Sequence, residues 1–489
     1  MLRCYSVCPN LPMSALSRRD VLKSSALLAP AFGLAGCATD SRSSEKLPNI
    51  IVLVTDDQRW DMLGAAGNPL IQTPHMDRLA MEGVLFENHF VTTSLCAPSR
   101  TSIFTGLYAS CHGTHDFATP MSDELHERSY PGRLRAAGYR TAFVGKYGVG
   151  RTLPKDKFSH FEGFSGQGQY LHEVDGESRH LTGMIGDQAL QFLETCDGQN
   201  PFCLSVSFKA PHVQDRVAPF FINDPEFDEL YEDVEIPAFK KLDPSYFEDL
   251  PEFLKDGYEG HIRQQRRFPT PETWQSAMKR YYRLITGVDV QVGRILDWLD
   301  ESGLGSNTVI LFTSDNGFFL GERGWAGKYF IHEESVRTPL IVRDPRSPQR
   351  MGRRRTEMTL NLDIAPTILE LAELEVDPST NGRSVVPLLD GESPPWRSEW
   401  YYEFLWQREG IPIPRTEGVR SQRWKYNMYL DGQPGYEELY DLDSDPEEET
   451  NLAKSADHQG QLEQLRSRHE AWKESLADWR PGEAWADPA

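Results

Sequence analysis

The 489-residue chain is poor in cysteine, short of basic charge relative to acidic, and short of long apolar runs near its amino end. Its seven cysteines are too few for a disulfide framework in a chain of this length. Lys plus Arg number 51 against 73 for Asp plus Glu, a net charge of −22. That balance excludes nucleic acid as a partner, because nucleic acid calls for a basic face. The apolar stretch Ala26 to Leu34 is too short to cross a bilayer as a helix. No internal repeat is visible, which excludes a solenoid. The composition does supply 39% hydrophobic residues, enough for a sizeable core. The length suggests two or three domains, or one large and one small.

The amino end carries an address. Ser17-Arg18-Arg19-Asp20-Val21-Leu22-Lys23 has the form of a twin-arginine export signal, and Leu34-Ala35-Gly36-Cys37 that of a bacterial lipobox. These predict a signal over 1–37, cleavage before Cys37, a lipid on its thiol and a tether over 38–47. The expected location is outside the cytoplasm, as a periplasmic or outer-membrane lipoprotein of a bacterium, touching membrane only through Cys37. Met13 is an alternative start to Met1. Cys196 and Cys203 flank the turn Asp197 to Pro201 and are placed to pair in an oxidising compartment; the alternative is that Cys203 is core on a strand.

Three apolar runs, Asn49 to Val54, Phe202 to Phe208 and Thr308 to Thr313, predict strands buried on both faces. Each ends in polar residues: Asp56 and Asp57 after the first, His212 after the second, Asp315 and Asn316 after the third. Open α/β sheets gather their sites at such carboxyl ends. Hard oxygen donors there suit a divalent cation such as Ca²⁺. A fourth strand, Thr141 to Val144, delivers Gly145-Lys146-Tyr147-Gly148-Val149-Gly150. Helices are predicted over Pro74 to Glu82, Pro131 to Ala137, Gly183 to Thr195, Glu272 to Glu301 and Asp363 to Leu371. The excursion Val213 to Pro271, with its basic cluster Arg263, Arg266 and Arg267, reads as a lid or substrate wall. Further on, Glu399 to Phe404, Gly418 to Leu430 and Glu437 to Asp441 read as antiparallel strands, and Leu462 to Leu476 as a closing helix.

Ser94 to Gly106 reads S-L-C-A-P-S-R-T-S-I-F-T-G. Pro98 suits a first helical turn, where its missing N–H is no loss. Cys96 then sits where N–H groups and the positive helix end gather anions. The spacing C-x-P-S-R, followed by Thr105-Gly106, resembles the signature of the type I, formylglycine-dependent sulfatases of the alkaline phosphatase superfamily. Further matches follow in the family's usual order. Lys146 stands in G-K-Y-G-V-G where many relatives have G-K-W-H-L-G, His212 lies behind Pro211, and Ser314 to Gly317 read S-D-N-G. Lys328 precedes the E-E-S-x-R-x-P of Glu333 to Pro339. The resemblance covers Pro48 to Ala453. It implies an α/β fold: a large alkaline-phosphatase-like mixed-sheet sandwich domain over 48–375, and a small carboxyl-terminal α+β domain over 376–489.

The resemblance also implies a sulfuric ester hydrolase. A formylglycine-generating enzyme converts Cys96 to formylglycine, and the hydrated aldehyde attacks sulfur with one hydroxyl and expels sulfate with the other. Asp56, Asp57, Asp315 and Asn316 hold one Ca²⁺ that polarises the attacking hydroxyl. Arg100 holds the diol, Lys146 and Lys328 hold sulfate oxygens, and His212 serves the bridging oxygen of the leaving alcohol. The expected substrate is a sulfated carbohydrate, with Arg263, Arg266 and Arg267 placed to meet a second acidic group on it. Two positions depart from the family pattern. Gly148 stands where the pattern has histidine, which leaves the proton-accepting task to His112 or His115. Arg323 stands where relatives often carry histidine. Two alternatives remain open: a phosphonate or phosphoester hydrolase of the same superfamily, and a non-catalytic binder of sulfated glycan.

Overall fold

The computed structural model describes residues 46–488 apart from Asp256 and Pro434. The export signal, the lipid-bearing Cys37, the choice between Met1 and Met13, and most of the tether lie outside the described residues.

The apolar runs build the spine of the molecule. Eight strands form one sheet in the order Arg353–Arg355, Val84–Phe86, Leu340–Arg343, Thr308–Ser314, Asn49–Asp56, Phe202–Pro211, Arg140–Lys146, His160–Phe164. The five from Thr308–Ser314 to His160–Phe164 run parallel, and Leu340–Arg343 is antiparallel to both its neighbours, so the sheet is mixed. Along Asn49–Asp56 the side chains alternate between two cores. Ile51 and Leu53 pack with Ile185, Val288 and Val292, from the helices Leu181–Glu194 and Pro271–Ser302. Ile50 and Val52 pack with Ile103, Leu134 and Ile368, from the helices Cys96–Thr105, Tyr130–Ala136 and Ile364–Leu371. A strand buried on both faces needs apolar residues at every position, which is why these runs do not alternate in polarity. The 32-residue helix Pro271–Ser302 starts in a Thr270–Thr273 capping box and ends at Gly303. Within it, a Cβ at Gly293 would lie 2.7 Å from the His75 ring, so the helix passes too close to Pro74–Met81 for a larger residue.

Register aligns the carboxyl ends. Val54 lies opposite Ser207 and Thr313, Thr55 opposite Ser314, and Gly145 opposite Ser207. The register with Phe202–Pro211 shifts between Val54 and Asp56, where Asp56 pairs with Pro211. Asp56, Lys146, His212 and Asp315 thus emerge side by side at the carboxyl ends of four neighbouring interior strands.

The carboxyl-terminal part is a four-stranded antiparallel sheet, Glu399–Phe404, Thr416–Ser421, Trp424–Tyr429 and Glu437–Asp441, with the helix Gln459–Ala477. Gly418 to Leu430, expected as one strand, is a hairpin turning at Gln422-Arg423. An aromatic core joins this sheet to the larger part, with Trp400, Tyr402, Tyr426 and Trp472 against Phe90, Tyr108, Trp325 and Phe330. The excursion after His212 is built of single turns, Pro225–Phe227, Lys240–Leu242, Ser245–Glu248 and Glu252–Leu254, and one helix, Glu259–Arg267. It is anchored by buried Phe221, Tyr231 and Ile236. Cys196 and Cys203 do not pair. The Cys196 thiol meets the Phe192 carbonyl at 3.5 Å, and Cys203 is strand core. Among the described residues no helix is long and apolar enough to cross a membrane.

Candidate active site

Leu95 is extended at φ −153°, and the helix Cys96–Thr105 begins directly after it, with Pro98 in its first turn. Every residue of that helix is buried, and Gly106 closes it at φ +73°. The Cys96 thiol therefore projects from a fixed helix start toward the strand ends.

There it meets Asp56 Oδ1 at 3.4 Å and accepts from Lys328 Nζ at 3.0 Å, with Lys146 Nζ at 4.0 Å. Lys146 also pairs with Asp56 Oδ2, and Lys328 with Asp57 Oδ1. Arg100 is held from four sides. Its Nε donates to Asp315 Oδ2 at 2.8 Å, Nη2 to Asp56 Oδ2 at 3.2 Å, and Nη1 to the Lys146 carbonyl at 2.7 Å and to Ser207 Oγ. Asp315 Oδ1 accepts from the Asp57 backbone N–H at 3.2 Å, and Asn316 Nδ2 donates to Asp57 Oδ1. His212 Nδ1 is 2.6 Å from the Val213 carbonyl, so it carries the proton, and Nε2 faces Asp57 Oδ2 at 3.6 Å. All nine residues singled out in the sequence meet here. His212, at 7%, is the most exposed of them.

Three carboxylates against three fixed cations set the electrostatics. Burial pushes the Cys96 thiol well above the usual thiol range, with Asp315 and Asp56 adding to it, so the sulfur is a thiol and a weak nucleophile as it stands. Burial alone would raise Asp56 as well, but Lys146, His212, Arg100 and Lys328 outweigh it and hold the carboxylate far down. Asp57 is the exception. Burial pushes it up to about 6, Lys328 opposing and Asp56 and Asp315 adding. Burial also holds His212 well below the usual histidine range, against the pull of Asp56.

The donor set fits a divalent cation. Asp57 Oδ2 and Asn316 Oδ1 are buried without any hydrogen-bond partner, an arrangement that costs free energy unless something positive faces them. Asp56, Asp57, Cys96 and His212 each offer a ligand atom, all within 4.8 Å of one another. Asp56 and Asp57 give that set two carboxylates, and Asp315 and Asn316, each hydrogen-bonded to Asp57, bring further oxygen beside it, which favours a hard cation.

The structure adds residues that the sequence reading missed. Gln167 Oε1 accepts from Lys146 Nζ at 2.6 Å. Ser207 fixes Arg100. Lys209 donates to the Gly168 carbonyl at 2.9 Å and lies 4.0 Å from the centre of the Tyr170 ring; burial, with Lys146 adding, pulls it down to about 7. Ser207 and Lys209 sit two apart on the strand Phe202–Pro211 that leads into His212, so strand alternation carried a signal for them. Gln167, in a loop, carried none.

One expectation changes. His112 and His115 do not take the place left by Gly148. His112 Nε2 lies 3.2 Å from Ser102 Oγ and its Nδ1 accepts from the Thr114 N–H at 3.0 Å, so both ring nitrogens are engaged away from Cys96. The charged neighbour of His115 is Asp116, not a residue of the cluster. Arg323 turns from the site and donates to the Glu448 carbonyl in the carboxyl-terminal part.

Comparison with known proteins agrees with this geometry. The family model described as Sulfatase matches residues 48–374, and that of the N-sulphoglucosamine sulphohydrolase carboxyl-terminal region matches 321–475. The chain is 32% identical over 526 residues to an N-acetylglucosamine-6-O-sulfatase of Bacteroides thetaiotaomicron, covering 95% of this chain and 94% of that protein. It is 26% identical over 498 residues to the human N-acetylglucosamine-6-sulfatase, covering 87% and 83%. A solved structure described as in complex with its substrate, D-glucosamine-2-N,6-O-disulfate, superposes with a TM-score of 0.75 at 28% identity, covering 90% of this chain and all of that one. With a matching family model over more than half its length and the motif residues gathered in one buried cluster, the chain belongs to the sulfatase family and is a sulfuric ester hydrolase.

Proposed function

We propose that the protein removes sulfate from the 6-position of a glucosamine unit in a sulfated carbohydrate, one exposed ester at a time. The observation that carries this reading is the 32% identity, over nearly the whole of both chains, to an N-acetylglucosamine-6-O-sulfatase. The site supplies what such a reaction needs.

Formylglycine made from Cys96 would supply a hydratable aldehyde in place of a thiol that burial keeps protonated. A divalent cation, Ca²⁺ in our reading, would be held by Asp56, Asp57, Asp315 and Asn316 and supply Lewis acidity beside that group. Arg100, fixed by Asp315, Asp56 and Ser207, orients the oxygens of the modified side chain with its rigid fork. Lys328 and Lys146 flank Cys96 and hold the sulfate oxygens, offsetting charge that spreads onto them in the transition state. His212 serves the bridging oxygen. Its low proton affinity keeps it neutral until the anionic ester enters, which favours the imidazolium and lets Nε2 give its proton to the leaving alcohol. His212 is also the most exposed of the nine residues, as a group on the leaving-group side should be. Export and a lipid on Cys37 would place the reaction outside the cytoplasm, where polysaccharide is met.

The test is made on protein produced together with a formylglycine-generating enzyme. Peptide mass spectrometry reads the state of Cys96 and elemental analysis the bound cation; hydrolysis is followed as sulfate release on N-acetylglucosamine 6-sulfate and an aryl sulfate, and as alcohol release on a phosphonate monoester. The expected outcome is an aldehyde at Cys96, stoichiometric calcium, fastest turnover on the sugar, and a loss of at least about 1,000-fold in Cys96→Ala, in line with removal of a nucleophile. Full activity with an unmodified thiol, or a preference for the phosphonate, would overturn the reading.

A further inference from the structure

The basic cluster in the excursion is resolved by the fold into two different things. Arg266 is exposed and lies 6.0 Å from the Phe220 ring. Arg263 and Arg267, one turn apart on the Glu259–Arg267 helix, face inward. Arg263 donates to the Tyr329 hydroxyl, the residue after Lys328, and to Glu259 at 2.7 Å. The Arg267 guanidinium lies 5.8 Å from the ring of Phe318, two residues past Asn316. Its side chain is only 1% exposed, and Nη2 donates to Asp215 at 2.8 Å. Its Nε and Nη1 have no acceptor at all.

Two bare donors on a buried guanidinium are costly. Burial, with Arg263 beside it, pulls Arg267 down to about 10, and Asp215 only partly offsets this. Asp215 is three residues past His212 and its side chain is 43% exposed. It feels the charges of Arg267, His212 and Arg263 together, so these groups surround one small region beside the leaving-group side of the site. Most buried side-chain donors find an acceptor; Arg323 leaves one nitrogen unpartnered, and Arg267 leaves two. This one has a single acceptor, and that acceptor is itself half in solvent and free to be replaced.

The geometry points to a second anion subsite: Arg267, flanked by Arg263, takes an acidic substituent of the sulfated sugar, and Asp215 is the internal carboxylate that this substituent displaces. The ligand is an oxyanion able to accept from two guanidinium N–H groups at once. On a glucosamine 6-sulfate it comes from an N-sulfate on the same ring or from the carboxylate of a neighbouring uronate. The inference rests on the sulfated amino sugar reading above and adds to it a preference for a doubly acidic substrate.

The experiment compares kcat/KM on N-acetylglucosamine 6-sulfate, on N-sulfoglucosamine 6-sulfate, and on a uronate-linked disaccharide of the first. It uses the parent, Arg267→Gln, Arg267→Lys and Asp215→Asn. The parent should favour one acidic substrate over the neutral one by about tenfold or more, as two charge-assisted bonds allow, and which one names the source of the anion. That ratio should fall to near one in Arg267→Gln, stand between in Arg267→Lys, and rise in Asp215→Asn, where the competing carboxylate is gone. A parent ratio near one on both acidic substrates, or a ratio that survives Arg267→Gln, overturns the subsite. Where the Arg267 variants fail to fold, Asp215→Asn decides, and an unchanged ratio there overturns it. Sulfate release from none of the three overturns the amino sugar reading, and this inference with it.

Discussion

At Gly148 the chain departs from its family pattern, and the structure shows what the departure makes room for. Gly148 has φ +73°, and a Cβ there would lie 2.8 Å from Arg100 Cδ and 3.1 Å from Nε. The Arg100 side chain thus lies against the bare α-carbon, and its guanidinium reaches Ser207, Asp315 and Asp56 from that position. A side chain at 148 pays twice: about 1–2 kcal/mol for the left-handed backbone, and more for moving Arg100. Restoring the histidine of the family pattern should therefore lower activity in this protein. Gly148→His and Gly148→Ala are both expected to cut kcat on the order of 100-fold, since a misplacement near 1 Å suffices for that, with a melting temperature lowered by only a few degrees. The two variants are checked by sulfate release and thermal melts side by side. If Gly148→His were faster than the parent, the steric account would fail and the histidine's proton-accepting role would be the missing part.

Elements bring the carboxyl-terminal sheet to bear on the Cys96 segment through one acid. The strand Glu399–Phe404 meets the Thr92 carbonyl through the Glu403 N–H at 3.1 Å, and the Glu403 carboxyl accepts from the Ser110 N–H at 2.9 Å and from Ser110 Oγ. Burial pushes Glu403 from 4.5 up to about 7, the Ser110 bonds opposing. The folded state therefore binds this proton more tightly than the unfolded chain does. The contribution to stability is full below pH 4.5 and is lost as pH rises through about 7. Glu403→Gln removes the titration and keeps the shape, so its melting temperature minus that of the parent should climb between about pH 5 and 8. A difference constant across that range would show that Glu403 does not titrate there. Elements of this kind were only partly legible. The strands carrying Asp56, His212 and Asp315 were plain because burial on both faces forces unbroken apolar runs. The hairpin at Gln422-Arg423 was not, because it has no Gly or Pro; the Ser421 hydroxyl closes it by accepting from the Trp424 N–H at 2.9 Å. The nine site residues were legible because their motifs are local. Gln167 and Asp215 were not, because they lie in loops and reach Lys146 and Arg267 across 21 and 52 residues, and only packing reveals such pairs.

Across the whole molecule, a buried ion network ties the two sheets together and reaches the site in two steps. Lys425, fully buried in the carboxyl-terminal sheet, donates to Glu333 at 2.8 Å and pairs with Glu448. Burial alone would raise Glu333, but Lys425, Arg420 and Arg337 outweigh it and hold the carboxyl at about 2. Glu333 opens the short helix Glu333–Val336. Two residues on, the Ser335 carbonyl accepts from Ser94 Oγ at 2.8 Å and from the Gly317 N–H at 2.9 Å. One helical turn therefore clamps both the lead-in to Cys96 and the loop of Asp315 and Asn316, and the carboxyl-terminal sheet clamps that turn. Lys425→Met leaves Glu333 and Glu448 buried without their shared cation, a loss of about 3–5 kcal/mol by the usual cost of breaking a buried pair. Because the clamp is shared, kcat should fall as well, even at a temperature where the variant is fully folded. Charge rather than volume is the cause in this account, so Lys425→Met combined with Glu333→Gln and Glu448→Gln should recover much of the stability. Denaturant melts and sulfate release on the parent, the single and the triple variant separate the two effects. A single variant within about 1 kcal/mol of the parent would mean that water reaches Lys425's partners. One that is destabilised but keeps full kcat would mean that the sheet supports the fold without holding the site.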